Sequence, residues 1–444
     1  MQFDEALQYL LSLGHETLAI KLGLANMERL LEALGHPQRS SPSIQIAGTN
    51  GKGSTAVMLD RICREAKISS GLYTSPHLVS ITERIRIGGE EITPEDFARL
   101  TTRVRDASAR VQKQSGALPT FFEQVTAVAF CAFSEARVEL AILETGLGGR
   151  LDATTAASAD VVALTPIAFD HQEYLGVTLE EIAAEKAAII RPGTMAITAP
   201  QSALVLKVIE RRAESCGTAL RFAGQAVEVL EADAAGRLSV TFKTARDVYE
   251  RVHLSLPGRH QAINAAVALE LAELLRERGF SVPREAIIAG VETAQHPGRL
   301  EINEKITPSI IFDGAHNEAG ARALREYLDE FIKAPVTLIF GAMRDKDLCE
   351  IAATLFPVAD RLILTRIENP RAASLDELQR VVPHAFDLDR ITFAENVSDA
   401  LNMGRESTLP RGVICVTGSL YLVGEVKRIL AGNEATSSTT DAAR

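Results

Sequence analysis

Beyond Ser43, short apolar runs alternate with longer stretches in which apolar residues recur every three or four positions. This alternation predicts βαβ units around a parallel sheet, because doubly covered strands read as continuous apolar runs and crossover helices as amphipathic ones. Two series are visible. The first contains SIQIAG (Ser43 to Gly48), ISSGLYTS (Ile68 to Ser75), ELAILET (Glu139 to Thr145), ADVVALT (Ala159 to Thr165) and TMAIT (Thr194 to Thr198). Between the first two runs, Met58, Leu59, Ile62 and Cys63 make one apolar face over Ser54 to Ala66, a crossover helix. Between Ala226 and Leu256 the period drops to two, and VEVLEADAAGRLSVTF alternates around Ala234, Ala235 and Gly236, which predicts a β-hairpin. A helix beginning near Asn264 leads through Leu274 to a turn at Gly279, and Gln295, His296, Pro297 and Gly298 break the chain again.

The second series is SIIFDG, VTLIFGA (Val336 to Ala342), RLILTRI (Arg361 to Ile367), ITFAE (Ile391 to Glu395) and GVICVTG (Gly412 to Gly418). The expected organisation is an α/β protein. Residues 1–296 form a larger domain, residues 297–430 form a smaller doubly wound one, and residues 431–444, which lack periodicity, form a disordered tail. No internal repeat is visible.

A chain of 444 residues is too long for one ordinary core, and 46% hydrophobic with 24% charged residues is globular usage, which excludes bulk disorder. The net charge of −11 argues against a nucleic-acid partner. Every apolar run is broken well short of the roughly 18 residues a membrane span requires, and the acidic start MQFDEALQYLLSLGHE carries no export signal. Cys63, Cys131, Cys216, Cys349 and Cys415 are odd in number, far apart and never in a CxxC pair. A disulfide framework and a zinc cluster are therefore unexpected, and a reducing cytoplasm is the expected location.

The strongest chemical signal is Gly48, Thr49, Asn50, Gly51, Lys52, Gly53, Ser54, placed after a strand and before a helix. Glycines permit close backbone approach, the loop amides and helix N-terminus carry partial positive charge, Lys52 adds a point charge for phosphate, and Ser54 offers a hydroxyl to Mg²⁺. The pattern departs from GxxxxGK[ST], since Ile46 stands at the first glycine position and Gly53 separates Lys52 from Ser54.

GTNGKGS resembles the phosphate loop of the Mur ligase superfamily, and further motifs narrow the resemblance to folylpolyglutamate synthase and dihydrofolate synthase. They are TSPHL (Thr74 to Leu78), TERIRI (Thr82 to Ile87), FFE (Phe121 to Glu123), ETGLGGRLDAT (Glu144 to Thr154), DHQEYLG (Asp170 to Gly176), EKAAIIRPG (Glu185 to Gly193), PGRHQAIN (Pro257 to Asn264), HPGRLE (His296 to Glu301), FDGAHN (Phe312 to Asn317) and TGSLYLVGE (Thr417 to Glu425). They keep the family's order across nearly the whole chain. The resemblance implies a P-loop ATPase domain joined to a smaller Rossmann-like domain.

The resemblance also assigns roles. Mg²⁺, as two ions, would meet Ser54, Ser75, Glu144 and His171, and Lys186 of the EKA motif would be carbamylated. Read without the family, Lys186 is an ordinary helix-face lysine and Glu144 a strand-end cap or ion pair. Asn264, Arg299 and Asp313 match ATP contacts from the first domain, the linker and the second domain, with Asp313 accepting from ribose or positioning the linker. His316 could contact phosphate or acyl phosphate, or be structural. Phe121 and Phe122 could stack on a pterin or belong to the core, with Glu123, Leu151, Asp152 and Ala153 lining the same side. HETLAIKLGLANMERL resembles the family's first loop with extra residues before Glu28 and Arg29, which bears on substrate choice.

The implied reaction joins an acid, dihydropteroate or a folate's terminal glutamate, to the amine of L-glutamate. A carboxylate is a poor electrophile, so ATP converts it to an acyl phosphate, and catalysis rests on positioning and charge neutralisation by Lys52, Mg²⁺, the loop amides and Arg299. Domain closure about Gln295 to Arg299 would exclude water, and because it needs no second subunit, a monomer is expected. The rivals are another Mur-type amide ligase, disfavoured because only 47 residues precede Gly48, and a noncatalytic ATP-binding regulator.

Overall fold

The computed structural model describes residues 1–14 and 23–441. Of the expected family loop, residues 15–22 lie outside the described residues, while Glu28 and Arg29 fall in the helix Ala25–Ala33.

The first domain is built on an eight-stranded sheet. Its strands are β1 (Ser43–Ala47), β2 (Ser70–Tyr73), β3 (Ile85–Ile87), β4 (Glu90–Glu91), β5 (Leu140–Glu144), β6 (Val161–Leu164), β7 (Met195–Thr198) and β8 (Leu220–Phe222), in the order β4-β3-β2-β5-β1-β6-β7-β8. From β2 through β8 neighbours run parallel, whereas β3 and β4 fold back antiparallel. The apolar runs of the sequence coincide with β1, β2, β5, β6 and β7, each buried along almost its whole length. The crossover helix is Lys52–Glu65, and its buried Met58, Leu59, Ile62 and Cys63 pack with Ile44, Ile46, Leu72 and Ile142 in one core cluster.

The period-two region forms three strands: β9 (Val227–Ala232), β10 (Leu238–Lys243) and β11 (Val248–His253), ordered β11-β10-β9. The expected hairpin thus gains a third strand. VYERVH buries only Tyr249 and Val252, three positions apart across a register shift opposite Val240 and Phe242, so strict alternation is interrupted.

The chain passes into the second domain between the helix Arg284–Thr293 and β12 (Glu301–Asn303). With β13 (Ser309–Phe312), β14 (Val336–Phe340), β15 (Arg361–Thr365), β16 (Ile391–Ala394) and β17 (Val413–Thr417) it forms a sheet ordered β12-β13-β17-β14-β15-β16, parallel except for β12. The last helix runs Leu420–Asp441, so residues 431–441, expected to be without structure, continue that helix, and 442–444 lie outside the described residues. Among the described residues no helix is long and apolar enough to cross a membrane. All five cysteines are free.

Candidate active site

In parallel sheets ligand crevices open at the carboxyl ends of strands where the strand order reverses. Here that point is β5-β1-β6, with the chain leaving β1 for β2 on one side and later reaching β6 on the other. The loop Gly48–Gly51 follows β1, Glu144 ends β5, and Asp170 and His171 follow β6. The second domain faces this edge, and between them lies a cavity of about 320 Å³ lined by Gly48 to Ser54, Glu144, Lys186, Asn264, His296, Arg299, Asp313 and His316, among others.

Gly51 caps the helix Lys52–Glu65 in the left-handed conformation, φ 87°. A Cβ there would sit 2.2 Å from Asn264 Oδ1, so glycine is required by both backbone and space. Lys52 Nζ donates to Thr49 O (3.0 Å), and Lys186 Nζ to Gly48 O (2.9 Å), so the half-buried Lys52 and the buried Lys186 brace the loop from either side. Burial pushes the Lys52 ammonium below its ordinary value, against the attraction of Glu144 and Asp170. Burial and the nearby Lys52 lower Lys186 to about 7. Two cations are held in a site without an anion of matching charge on the loop itself, an arrangement suited to a phosphate chain.

Glu144, 6% exposed, accepts from the Ser75 amide at 3.2 Å, and burial raises its pKa although Lys52 opposes the shift. Ser54 Oγ lies 3.1 Å from His296 Nδ1 and 3.4 Å from Gln261 Nε2. A Cβ on Gly53 would lie 3.3 Å from Glu144 Oε2 and 2.8 Å from the His296 ring. Ser54 and Glu144 therefore flank Gly53 as oxygen donors. Of the other two residues expected at a metal, Ser75 meets Glu144 through its amide, and His171 is engaged elsewhere, its Nε2 3.4 Å from Lys346 Nζ. Burial lowers His171 to about 3, and its Nδ1 is buried without a partner, so the ring is neutral with one idle nitrogen. Among the described residues no group of three or more His, Cys, Asp or Glu could hold an ion. The Ser54 hydroxyl and the Glu144 carboxylate are oxygen ligands of the kind magnesium takes, one or two from the protein with water and phosphate oxygen completing the shell.

Arg299 Nη1 would be 2.8 Å from a Cβ on Gly314, which lays the guanidinium along the second domain's first loop. Asp313 accepts from the amides of Leu300 (3.0 Å) and Ala315 (2.9 Å). Its carboxylate thus ties Leu300 of the interdomain linker to the loop at Ala315. His316 donates from Nδ1 to Gly314 O (2.7 Å). Sequence reading passed over His296 and His260, lowered by burial to about 3 and 4, which add polar surface without further charge. Their presence inside HPGRLE and PGRHQAIN was the available signal.

A second cavity of about 220 Å³ is lined by Phe122, Glu123, Gly146 to Ala153, Tyr174, Lys346, Arg371 and Tyr421, among others. It shares Ser75, Pro76, Gly146, Leu147, His171, His316 and Leu420 with the first. The adjacent phenylalanines divide. Phe122, 6.1 Å from the Tyr73 ring and against Gly146, lines the cavity, whereas Phe121, 5% exposed, lies in the core with the Arg84 guanidinium 5.5 Å over its ring. Successive helix positions point about 100° apart, so only one ring can face the opening. Leu151, Asp152 and Ala153 all line the cavity. The Asp152 carboxylate is nonetheless consumed within its own loop, accepting from the amides of Gly146, Leu147 and Thr154 and from the Thr154 hydroxyl. Glu123 likewise accepts from Thr120 N (2.7 Å) as part of a capping box.

Residues 46–272 match the Mur ligase middle domain, and residues 298–420 match the Mur ligase glutamate ligase domain. The chain belongs to the Mur ligase family. Within it, the chain is 32% identical over 422 residues to the dihydrofolate synthase/folylpolyglutamate synthase of Bacillus subtilis (strain 168), covering 94% of this chain and 97% of that one. E. coli FolC in complex with DHPP and ADP superposes with a TM-score of 0.86 at 31% identity, covering 98% and 99% of the two chains. A bifunctional folylpolyglutamate synthase/dihydrofolate synthase with Mn, AMPPNP and L-glutamate bound gives a TM-score of 0.83 at 29% identity, covering 97% and 98%. Among Mur ligases the chain therefore stands with the folylpolyglutamate and dihydrofolate synthases.

Proposed function

We propose that this protein is an ATP-dependent ligase that adds L-glutamate to dihydropteroate, to the terminal glutamate of reduced folates, or to both. The observation that carries the reading is the shared wall of the two cavities. A phosphate-binding loop braced by Lys52 and the buried Lys186 opens on one side, an aromatic-lined acid site opens on the other, and His171 and His316 stand between them. The relatives bound to ADP with DHPP and to AMPPNP with L-glutamate support both substrate assignments.

ATP lies with its phosphates on Gly48 to Ser54, charge-matched by Lys52 and Arg299. The substrate carboxylate oxygen attacks the γ-phosphorus, the bond to ADP breaks, and an acyl phosphate forms. The unprotonated amine of L-glutamate then attacks the acyl carbon, phosphate leaves with the C–O bond pair, and the nitrogen gives up one proton to the departing phosphate as the amide forms. Ser54 and Glu144 would hold Mg²⁺, with Ser75 and His171 on the same cavity wall; the ion, when bound, spreads the charge that accumulates on the transferring phosphoryl group. The Lys186 amine, unprotonated in part near neutral pH, is suited to take up CO₂ as a carbamate, which would add a carboxylate for a second ion. The site is assembled by the two domains of one chain, which supports a monomer, and free cysteines support a cytoplasmic setting.

The test is a product assay with ATP, Mg²⁺ and L-glutamate, comparing dihydropteroate with reduced mono- and polyglutamyl folates. Amide formation matched by ADP is the expected result; no ADP with any acid overturns the reading, and ADP release independent of the amine marks a nucleotide-binding regulator. Carbon-13 NMR under labelled CO₂, with a carbamate resonance lost in Lys186→Met, checks the modification.

A further inference from the structure

The two domains are tied together at one buried carboxylate to which the steps above assign no part. Asp170 follows β6, and its side chain is 6% exposed. Lys346 Nζ lies 2.5 Å from Oδ1, Asn317 Nδ2 donates to Oδ2 at 3.0 Å, and His316 Nε2 is 3.5 Å from Oδ2. All three partners come from the second domain. Beside them, Asn50 of the phosphate loop and Asn317 exchange amide hydrogen bonds of 3.2 and 3.1 Å. Lys346, 7% exposed, stands on a braced turn: Arg344 N donates to Arg371 O, Arg344 Nη2 donates to Ala372 O, and Arg371 pairs with Asp345 at 2.7 Å. A rigid turn therefore presents an ammonium to a carboxylate on the other domain.

Each of these charges alone would be costly to bury: the His171 amide, 2.9 Å from Oδ1, is the carboxylate's partner within its own domain, and the ammonium and the other donors reach it only while the domains are aligned. The free energy of the pair is thus realised in one interdomain geometry and lost on separation. The pair also sits at the wall shared by the two cavities, next to His171 and His316.

Resting on the ligase reading, we infer that Asp170 is a positioning residue: by drawing Lys346, Asn317 and His316 onto the first domain, it holds the site closed while the activated acid waits for its amine. It lines the phosphate cavity, but its two oxygens are taken up by Lys346, Asn317, His316 and the His171 amide. When the latch fails, water reaches the acyl phosphate, its oxygen attacks the acyl carbon, phosphate leaves, and the acid is regenerated with ATP spent and no amide made.

The experiment uses the full chain with Asp170→Asn, Lys346→Met, Asp170→Glu and the Asp170→Asn/Lys346→Met double variant. Small-angle scattering gives the radius of gyration, and paired assays give ADP released per amide formed. Each of the first two variants is expected to enlarge the radius and raise the ADP-to-amide ratio about tenfold, while the double variant is no worse than the worse single, because both remove one shared interaction. Asp170→Glu should restore part of the coupling. If Asp170→Asn melts too early to assay, Lys346→Met decides by its radius of gyration, because Lys346 also lines the acid cavity and its coupling alone would not separate the two roles. Wild-type radius and wild-type coupling in the singles, or effects that add in the double, overturn the inference. Failure of the unaltered protein to make any amide would instead sink the ligase reading, and the scattering series would still report on the latch.

Discussion

Gly51→Ala perturbs the phosphate loop at one atom, and the structure sets the size of the effect. At φ 87° an L side chain pays about 1–2 kcal/mol for the left-handed conformation. The new Cβ would also lie 2.2 Å from Asn264 Oδ1, far inside a normal contact of roughly 3.5 Å. Asn264 must then turn away and give up its 2.9 Å bond to Gln261 Oε1, worth about 1 kcal/mol. The sum is about 2–3 kcal/mol, and because it falls on the loop that seats the phosphates, ATP affinity should drop about 30- to 150-fold by calorimetry. Gly116→Ala is the matched control. Gly116 has φ 73° but nothing within 4 Å of an added Cβ, and it lines neither cavity, so it carries only the conformational cost and should leave ATP affinity unchanged. Equal ATP affinity in Gly51→Ala and the wild type would refute the claim that this glycine is held by Asn264 as well as by its backbone angle.

Phe122→Ala should raise KM for the folate or pteroate acid with little change in melting temperature, whereas Phe121→Ala should cost about 3–5 kcal/mol of stability in denaturant titrations, because only the latter ring is core. The reverse pattern would mean that the two rings have exchanged faces. Lys186→Met should abolish ligation yet raise stability in CO₂-free buffer at pH 7 and below, by at most about 5 kcal/mol less the lost bond to Gly48. With the folded value near 7 and an unfolded value of 10.5, the folded chain releases a proton that the unfolded chain keeps, so wild-type stability rises with pH across that window and the advantage of methionine shrinks toward pH 10. A stability difference constant with pH would show that Lys186 titrates normally.

What was legible in the sequence is what is local. The apolar runs marked β1, β2, β5, β6 and β7 because a doubly covered strand must be apolar at every position, and the second domain's runs did the same for β13 to β17, apart from half-exposed β16. The short strands β3, β4, β8 and β12 bury few residues completely, so no periodic signal marks them. The phosphate loop was legible because glycine geometry, a lysine and a helix start all fall within a few consecutive residues. The contacts that complete the site are between residues 176 to 267 positions apart: Gly51 with Asn264, Ser54 with His296, Asn50 with Asn317, Asp170 with Lys346. A chain carries in its order only which groups it owns. Which of Phe121 and Phe122 faces the ligand, which carboxylate binds its own backbone, and which one holds two domains together are decided by the packing of distant elements, because burial and pairing are properties of the assembled space.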